Sequence, residues 1–312
     1  RWLLDLLDLP RQSSLGICTG ATMANAIGLA AARNEMLRRE GWDVEAAGLF
    51  GAPEVHVIMG AEVHSSIGAS LRLIGFGADR AHKVPVDDQG RMLPDALQEI
   101  VEKSQGPKII IAQAGHINSG AIDPLDRIAD IAATAGAWLH VDGAFGLWAR
   151  VHPDLQDQIS GVERADSWAL DGHKWLQVTY DCGLVLVRDT AAHARAMGHS
   201  AAYLPNSATL HDPGDFVPEL SRRARGVPVW AALKALGREG VVELVQRNCR
   251  LARQMADALA AEPGVSVLNE VRLNQLALAF GPAGEVGDAL TERVLQAVQA
   301  EGICYPSHGA WQ

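Results

Sequence analysis

Short, almost uninterrupted apolar runs recur along this chain, separated by stretches in which apolar residues return every three or four positions. Residues 55–59, 108–112, 138–141, 166–170 and 182–187 show the first pattern, expected of strands buried on both faces. A further strand is expected near residues 82–86. Residues 24–39, 64–74, 94–103 and 123–135 show the helical pattern, with Ile27, Ala31 and Leu37 on the apolar side of the first. At the start, Trp2, Leu3, Leu6 and Leu9 share a helical face that Pro10 ends. Strands alternating with helices of this length predict an α/β fold, a mostly parallel sheet with helices on both faces.

The pattern changes near residue 230. Residues 228–259 read as a long helical region with a break at 237–240, followed by strands at 265–268 and 275–280 and a helix at 291–300. These predict a smaller α+β domain. The expected division is therefore the end of a helical segment at 1–15, a large α/β domain at 16–228 and a small domain at 229–312. Residues 197–227 are irregular and carry Tyr203 and the basic run Arg222, Arg223 and Arg225. A connection this long inside a compact domain is usually functional or mobile. The chain opens inside a helical pattern and stops without a closing element, so it reads as trimmed at both ends, with the small domain incomplete.

Composition narrows the partners. A formal net charge of -10 argues against nucleic acid or an anionic membrane surface. No apolar run approaches the roughly 18 residues that a membrane span needs, and no signal peptide is visible. Cys18, Cys182, Cys249 and Cys304 have no CxxC spacing and read as buried thiols of a reducing compartment, so the cytoplasm is expected and no metal is.

Polar residues collect just beyond the predicted strand ends, where open α/β sheets bind ligands: Thr22, His64, Asn118, Asp142 and Lys174. Lys174 has two readings. It snorkels to solvent from a loop, or it is a Schiff-base lysine whose ammonium loses its proton to attack a carbonyl. Asp142 directly follows an apolar strand, where an unpaired acid is costly. It either caps the next helix or pairs with a pyridinium nitrogen, keeping that ring protonated and electron-accepting. Ala144 is small enough for a flat ring to lie against it, and His64 is placed to stack on the other face or to be an ordinary satisfied histidine. The small-residue stretch 16–25 opens a helix, so Ala21 and Thr22 form either a plain helix start or a place for a phosphate. His173 and Asp171 are close enough in sequence to Lys174 to order the same phosphate. Together these residues describe a site for pyridoxal phosphate.

Six motifs carry a family resemblance in order and spacing. They are Thr-Gly-Ala-Thr-Met-Ala-Asn at 19–25, Glu-Val-His-Ser-Ser at 62–66 and Ala-Gly-His-Ile-Asn-Ser-Gly-Ala-Ile-Asp-Pro at 114–124. Then come Trp-Leu-His-Val-Asp-Gly-Ala-Phe-Gly at 138–146, Asp-Gly-His-Lys-Trp-Leu at 171–176 and Ser-Arg-Arg-Ala-Arg at 221–225. The chain resembles the group II pyridoxal-phosphate-dependent amino acid decarboxylases, which include the aromatic L-amino acid, histidine, tyrosine and glutamate enzymes. The resemblance implies a fold type I transferase-like architecture with a seven-stranded sheet, and a homodimer with its sites near the subunit interface.

Carried across residue by residue, the resemblance makes Lys174 the covalent anchor of the cofactor and Asp142 the partner of its ring nitrogen. His64 stacks on the ring, Ala144 lies beneath it, and Ala21 and Thr22 contact the phosphate with Asp171 and His173 nearby. Asp171 stands where many members have asparagine. Ile117 stands where the animal aromatic decarboxylases have a threonine that contacts the cofactor, and Asn118 is the candidate substitute. Tyr203 matches the mobile-loop tyrosine that returns a proton to the α-carbon, which favours simple decarboxylation of an L-amino acid, aromatic or broad in range, to the amine and carbon dioxide. Aldehyde-forming oxidative chemistry and cofactor binding without turnover are the alternatives.

Overall fold

In the computed structural model, which describes residues 1–198 and 212–309, the apolar runs assemble into one seven-stranded sheet. Its strands are β1 (Ser14–Cys18), β2 (His56–Gly60), β3 (His82–Val84), β4 (Lys108–Gln113), β5 (Trp138–Asp142), β6 (Ser167–Asp171) and β7 (Gly183–Val187). They lie in the order β1-β7-β6-β5-β4-β2-β3. The pairings from β3 through β2, β4 and β5 to β6 are parallel, and β7 runs antiparallel to both β6 and β1. The expected mostly parallel sheet is therefore present, with β7 as its reversed strand.

The absence of polar alternation in these strands has a direct cause. Successive side chains point to opposite faces, and both faces are covered. Ile109 and Ile111 of β4 enter one apolar cluster with Val57, Met59 and Val185, whereas Ile110 and Ala112 enter the other with Ile58, Leu139 and Leu184. The first cluster is closed by α2 (Ala21–Arg39), α4 (Ser65–Leu73) and α7 (Thr190–Met197). The second is closed by α1 (Trp2–Leu6), α5 (Pro94–Lys103), α6 (Leu125–Thr134) and α8 (Gly226–Ala260). A four-residue helix, α3 (Val44–Ala47), follows α2.

α2 is buried nearly all round, which its alanines and Gly28 allow. A Cβ at position 28 would lie 2.8 Å from Cε1 of His140, so glycine lets the helix press against β5. The smaller α+β unit consists of the antiparallel pair β8 (Val265–Val267) and β9 (Leu278–Phe280) packed with α9 (Glu285–Glu301). α8 leads into it and kinks at Gly237, whose φ of 63° suits glycine.

Several expectations need correcting. The first helix stops at Leu6 rather than reaching Pro10, because Asp8 adopts a φ of 49°. Its Trp2 is 51% exposed, while Leu4 and Leu7 join Leu3, Leu6 and Leu9 in the core. The small-residue stretch 16–25 begins inside a strand, since β1 runs from Ser14 to Cys18 before α2 opens at Ala21. Neither β1 nor α7 is legible as an element in the sequence, the first for its glycine and the second for its alanines. Between β5 and β6 the connection is a series of 3-10 turns that buries Leu147 and Trp148. Cys18, Cys182 and Cys249 are buried, but Cys304 is exposed because residues 302–309 beyond α9 lie open. Among the described residues no helix is long and apolar enough to cross a membrane.

One close approach ties the sheet to the start of α2. A Cβ on Gly183, the first residue of β7, would stand 2.6 Å from the carbonyl oxygen of Gly20. Gly183→Ala is expected to destabilise the protein by about 1–3 kcal/mol through overpacking, read as a lower midpoint in urea denaturation. An unchanged midpoint would show that the start of α2 shifts without cost.

Candidate active site

Five segments converge on one cavity of about 250 Å³. The start of α2 supplies Gly20, Ala21 and Thr22, and the turn into α4 supplies His64 and Ser66. The ends of β4, β5 and β6 supply Gln113, Asp142 and Asp171, followed by Ala144, Phe145, His173 and Lys174. This is the carboxyl edge of the parallel strands, where backbone loops splay apart and side chains from separate strands can meet.

Lys174 turns towards this cavity. Its Nζ lies 3.2 Å from Oδ2 of Asp171 and 5.8 Å from the ring centroid of Phe145. The Asp171 side chain is 3% exposed, so the lysine charge is met by a carboxylate that water hardly reaches. The other oxygen, Oδ1, accepts the Ala21 N–H at 2.7 Å. His173 places Nε2 at 3.5 Å from Oδ2 of Asp171, while its Nδ1 accepts the N–H of Cys182. Tyr180 stacks on the His173 ring with centroids 4.1 Å apart.

Asp142 closes the inner end of the cavity. Its Oδ1 accepts the N–H of Ala144 at 3.2 Å, and its Oδ2 accepts Nδ2–H of Asn25 at 3.1 Å. Both the local turn and a long-range partner therefore use this acid. Burial pushes its pKa up, opposed by the two N–H donors and by the nearby His64 and Lys174. Asn25 in turn meets His140, whose Nε2 is 2.9 Å from Oδ1 of the amide. The His140 Nδ1 is 2.8 Å from Ser167 Oγ, which accepts the indole N–H of Trp138 at 2.9 Å.

His64 caps α4: its Nδ1 accepts the N–H of Ser66 at 3.2 Å. Its own N–H donates to Oε1 of Gln113, whose N–H donates to the buried Asp123. Burial raises the Asp123 pKa to about 6.

Of the residues expected at a site, Ala21, Thr22, His64, Asp142, Ala144, Asp171, His173 and Lys174 line this cavity. Asn118 is not among its lining residues, whereas its neighbour Ile117 is. The Asn118 amide instead faces Gly309, where a Cβ would lie 3.1 Å from its Oδ1. Tyr203 lies outside the described residues. Asn25, Gln113 and His140 join the site without having been expected there. The available signal for His140 is a polar residue inside an otherwise apolar strand, two positions before Asp142 and so on the same face.

The donor set fits pyridoxal phosphate. An amine and a buried carboxylate face one cavity, the small Ala144 lines it with them, and the start of α2 leaves the N–H groups of Thr22 and Met23 without intrahelical acceptors. The model of the pyridoxal-dependent decarboxylase conserved domain matches residues 1–280. The chain belongs to the pyridoxal-dependent decarboxylase family. Within that family it is 28% identical to tryptophan decarboxylase 1 of Oryza sativa subsp. japonica, an alignment covering 98% of this chain and 64% of that protein. It is 34% identical to an acidic amino acid decarboxylase of Bos taurus over 73% of this chain and 46% of that one. The crystal structure of the Oryza sativa TDC with PLP and tryptamine superposes with a TM-score of 0.90 at 26% identity, covering 99% of this chain and 67% of that chain. The chain spans about half to two thirds of the length of the curated relatives it matches.

The buried histidine makes stability depend on pH. Burial lowers the His140 pKa from 6.5 to about 3. The unfolded chain therefore takes up this proton first as pH falls, and the native state loses stability from about pH 6.5 downward. His140→Gln, which cannot titrate, is expected to flatten this loss by about 1 kcal/mol per pH unit. Urea denaturation of both proteins between pH 7 and pH 5 checks it; parallel curves would mean that His140 takes up its proton as readily in the native state as in the unfolded chain.

Proposed function

We propose that this decarboxylase-family chain carries the pyridoxal phosphate site of an enzyme that converts an L-amino acid, aromatic or broad in range, to the amine and carbon dioxide. The observation that carries the reading is the pairing of Lys174 with buried Asp171 in a cavity whose inner end is the Asp142 carboxylate. When bound, pyridoxal phosphate supplies an aldehyde that takes up an amine and a protonated ring that accepts the electron pair of a departing carboxylate.

The chain's own residues divide the remaining work. Lys174 is the amine that holds the aldehyde, and Asp171 at 3.2 Å holds the proton that its Nζ carries when released. Asp142 would accept the ring N–H, and the N–H groups at the start of α2 would hold the phosphate. His64, fixed by Ser66 and Gln113, would stack on one face of the ring, with Ala144 against the other. Tyr203 is the proposed proton donor to the α-carbon. Phe145 and Ile117 favour an apolar substrate side chain, since no arginine is found among the described lining residues to meet an acidic one. The same reading makes the protein a homodimer of the cytoplasm, a location that suits the free buried thiols Cys18, Cys182 and Cys249.

Borohydride reduction of the cofactor-loaded protein is expected to fix the cofactor's mass on the peptide that holds Lys174 and to leave none on Lys174→Ala. An adduct on another lysine would sink the assignment. Tyr203→Phe should keep that adduct while amine formation falls by about 100-fold or more. Equal rates for the variant and its parent would remove Tyr203 from the reaction. A substrate panel scored for amine, carbon dioxide, aldehyde and hydrogen peroxide separates simple decarboxylation from the oxidative kind.

A further inference from the structure

Behind Asp142 a line of hydrogen bonds crosses from β6 through β5 to α2. Trp138 Nε1 meets Ser167 Oγ at 2.9 Å, Ser167 Oγ meets His140 Nδ1 at 2.8 Å, and His140 Nε2 meets Asn25 Oδ1 at 2.9 Å. Asn25 Nδ2 completes it on Asp142 Oδ2 at 3.1 Å. Ser167, His140 and Asn25 are wholly buried and Trp138 is 2% exposed, so water is not an alternative partner for them. Sheet register places His140 directly opposite Ser167.

The two ends determine the direction of every bond. The indole N–H of Trp138 only donates, so Ser167 Oγ must accept from it. At the other end an ionised carboxylate only accepts, so the Asn25 amide must present its NH₂ to Asp142 and its oxygen to His140. That oxygen needs a donor, which requires the proton of His140 on Nε2. A neutral imidazole then has a bare Nδ1, which takes the hydroxyl proton of Ser167. Each group thus donates towards Asp142, and a protonated Asp142 donating to Asn25 would oppose all of them. The other charged or titratable groups that bear on Asp142 are His64 and Lys174.

We propose that Trp138, Ser167, His140 and Asn25 form a one-way positioning relay that keeps the Asp142 carboxylate an acceptor, aimed at the ring N–H of the cofactor. The inference rests on the reading of Asp142 as partner of the ring nitrogen. His140 and Asn25 are positioning residues, since they act through Asp142.

The test uses the full chain loaded with pyridoxal phosphate labelled with nitrogen-15 in the ring, whose chemical shift reports whether that nitrogen is protonated. Four variants are compared with the parent: Asp142→Asn, Asn25→Leu, His140→Leu and His140→Gln, the last retaining both a donor and an acceptor. Asn25→Leu and His140→Leu are expected to move the shift towards the unprotonated value. They should also weaken cofactor binding by about tenfold or more, the scale of one hydrogen bond to a charged group. His140→Gln should stay near the parent in both. A folded His140→Leu or Asn25→Leu with the parent's shift overturns the relay, as does a His140→Gln no better than His140→Leu, which would reveal a packing role only. Should His140→Leu fail to fold, the shift of Asn25→Leu decides between the same two outcomes. If Asp142→Asn also leaves the shift unchanged, the reading of Asp142 itself fails.

Discussion

A carboxylate at the end of a strand buried on both faces has to be satisfied from inside the protein, and the arrangement around Asp142 follows from that requirement. Its partner Asn25 sits on α2, one helical turn after Ala21, whose N–H binds the second buried acid, Asp171. Gly28, three residues further on, admits the His140 ring. Positions 21, 25 and 28 lie on one face of a helix, so a single rigid element addresses the ends of both β5 and β6. The rise from Ala21 to Asn25 is about 6 Å. The Asp171 end and the Asp142 end of the cavity are thereby held at a separation set by helix geometry and not by loop conformation.

The parallel core is legible in the sequence because its strands are buried on both faces: the apolar runs at 108–112 and 138–141 fall within one residue of the ends of β4 and β5. Residues 94–103, with apolar positions in helical register and a proline at the start, match α5 end to end. β1 is hidden because Gly16 leaves a gap in its apolar run. That glycine is there because the Phe216 backbone and the Val185 side chain pack where a Cβ would be. Lys174, Asp142 and His64 are legible because polar residues after strand ends are conspicuous. Asn25 and Gln113 are not, since an amide in a helix or at a strand end looks the same in sequence whether it meets solvent or a buried acid.

The basic run at 221–225 gains a physical meaning only in three dimensions. Arg225 meets Asp181 through two parallel bonds of 3.1 and 2.9 Å, and Arg223 joins the same carboxylate. Asp181 follows Tyr180, which stacks on His173 at the cavity wall. The entrance to α8 is thus tied to the wall of the site by a charge-assisted fork in addition to the apolar packing of Val229. Nothing in the spacing of those arginines announces Asp181, which is more than forty positions away along the chain.

A gradient of constraint separates reaction from specificity in this cavity. Asp142, Asp171 and Asn25 are buried and have their hydrogen bonds made, so a substitution at any of them leaves a buried polar partner unsatisfied. Ile117, by contrast, is 48% exposed at the mouth and has an apolar side chain that can enter no such network, so its replacement carries little cost in folding. Side chains of that second kind are the ones a family can vary while keeping its cofactor chemistry. Among the described lining residues Ile117 offers an exposed apolar surface, whereas Phe145 is held in the core and so belongs with the constrained wall.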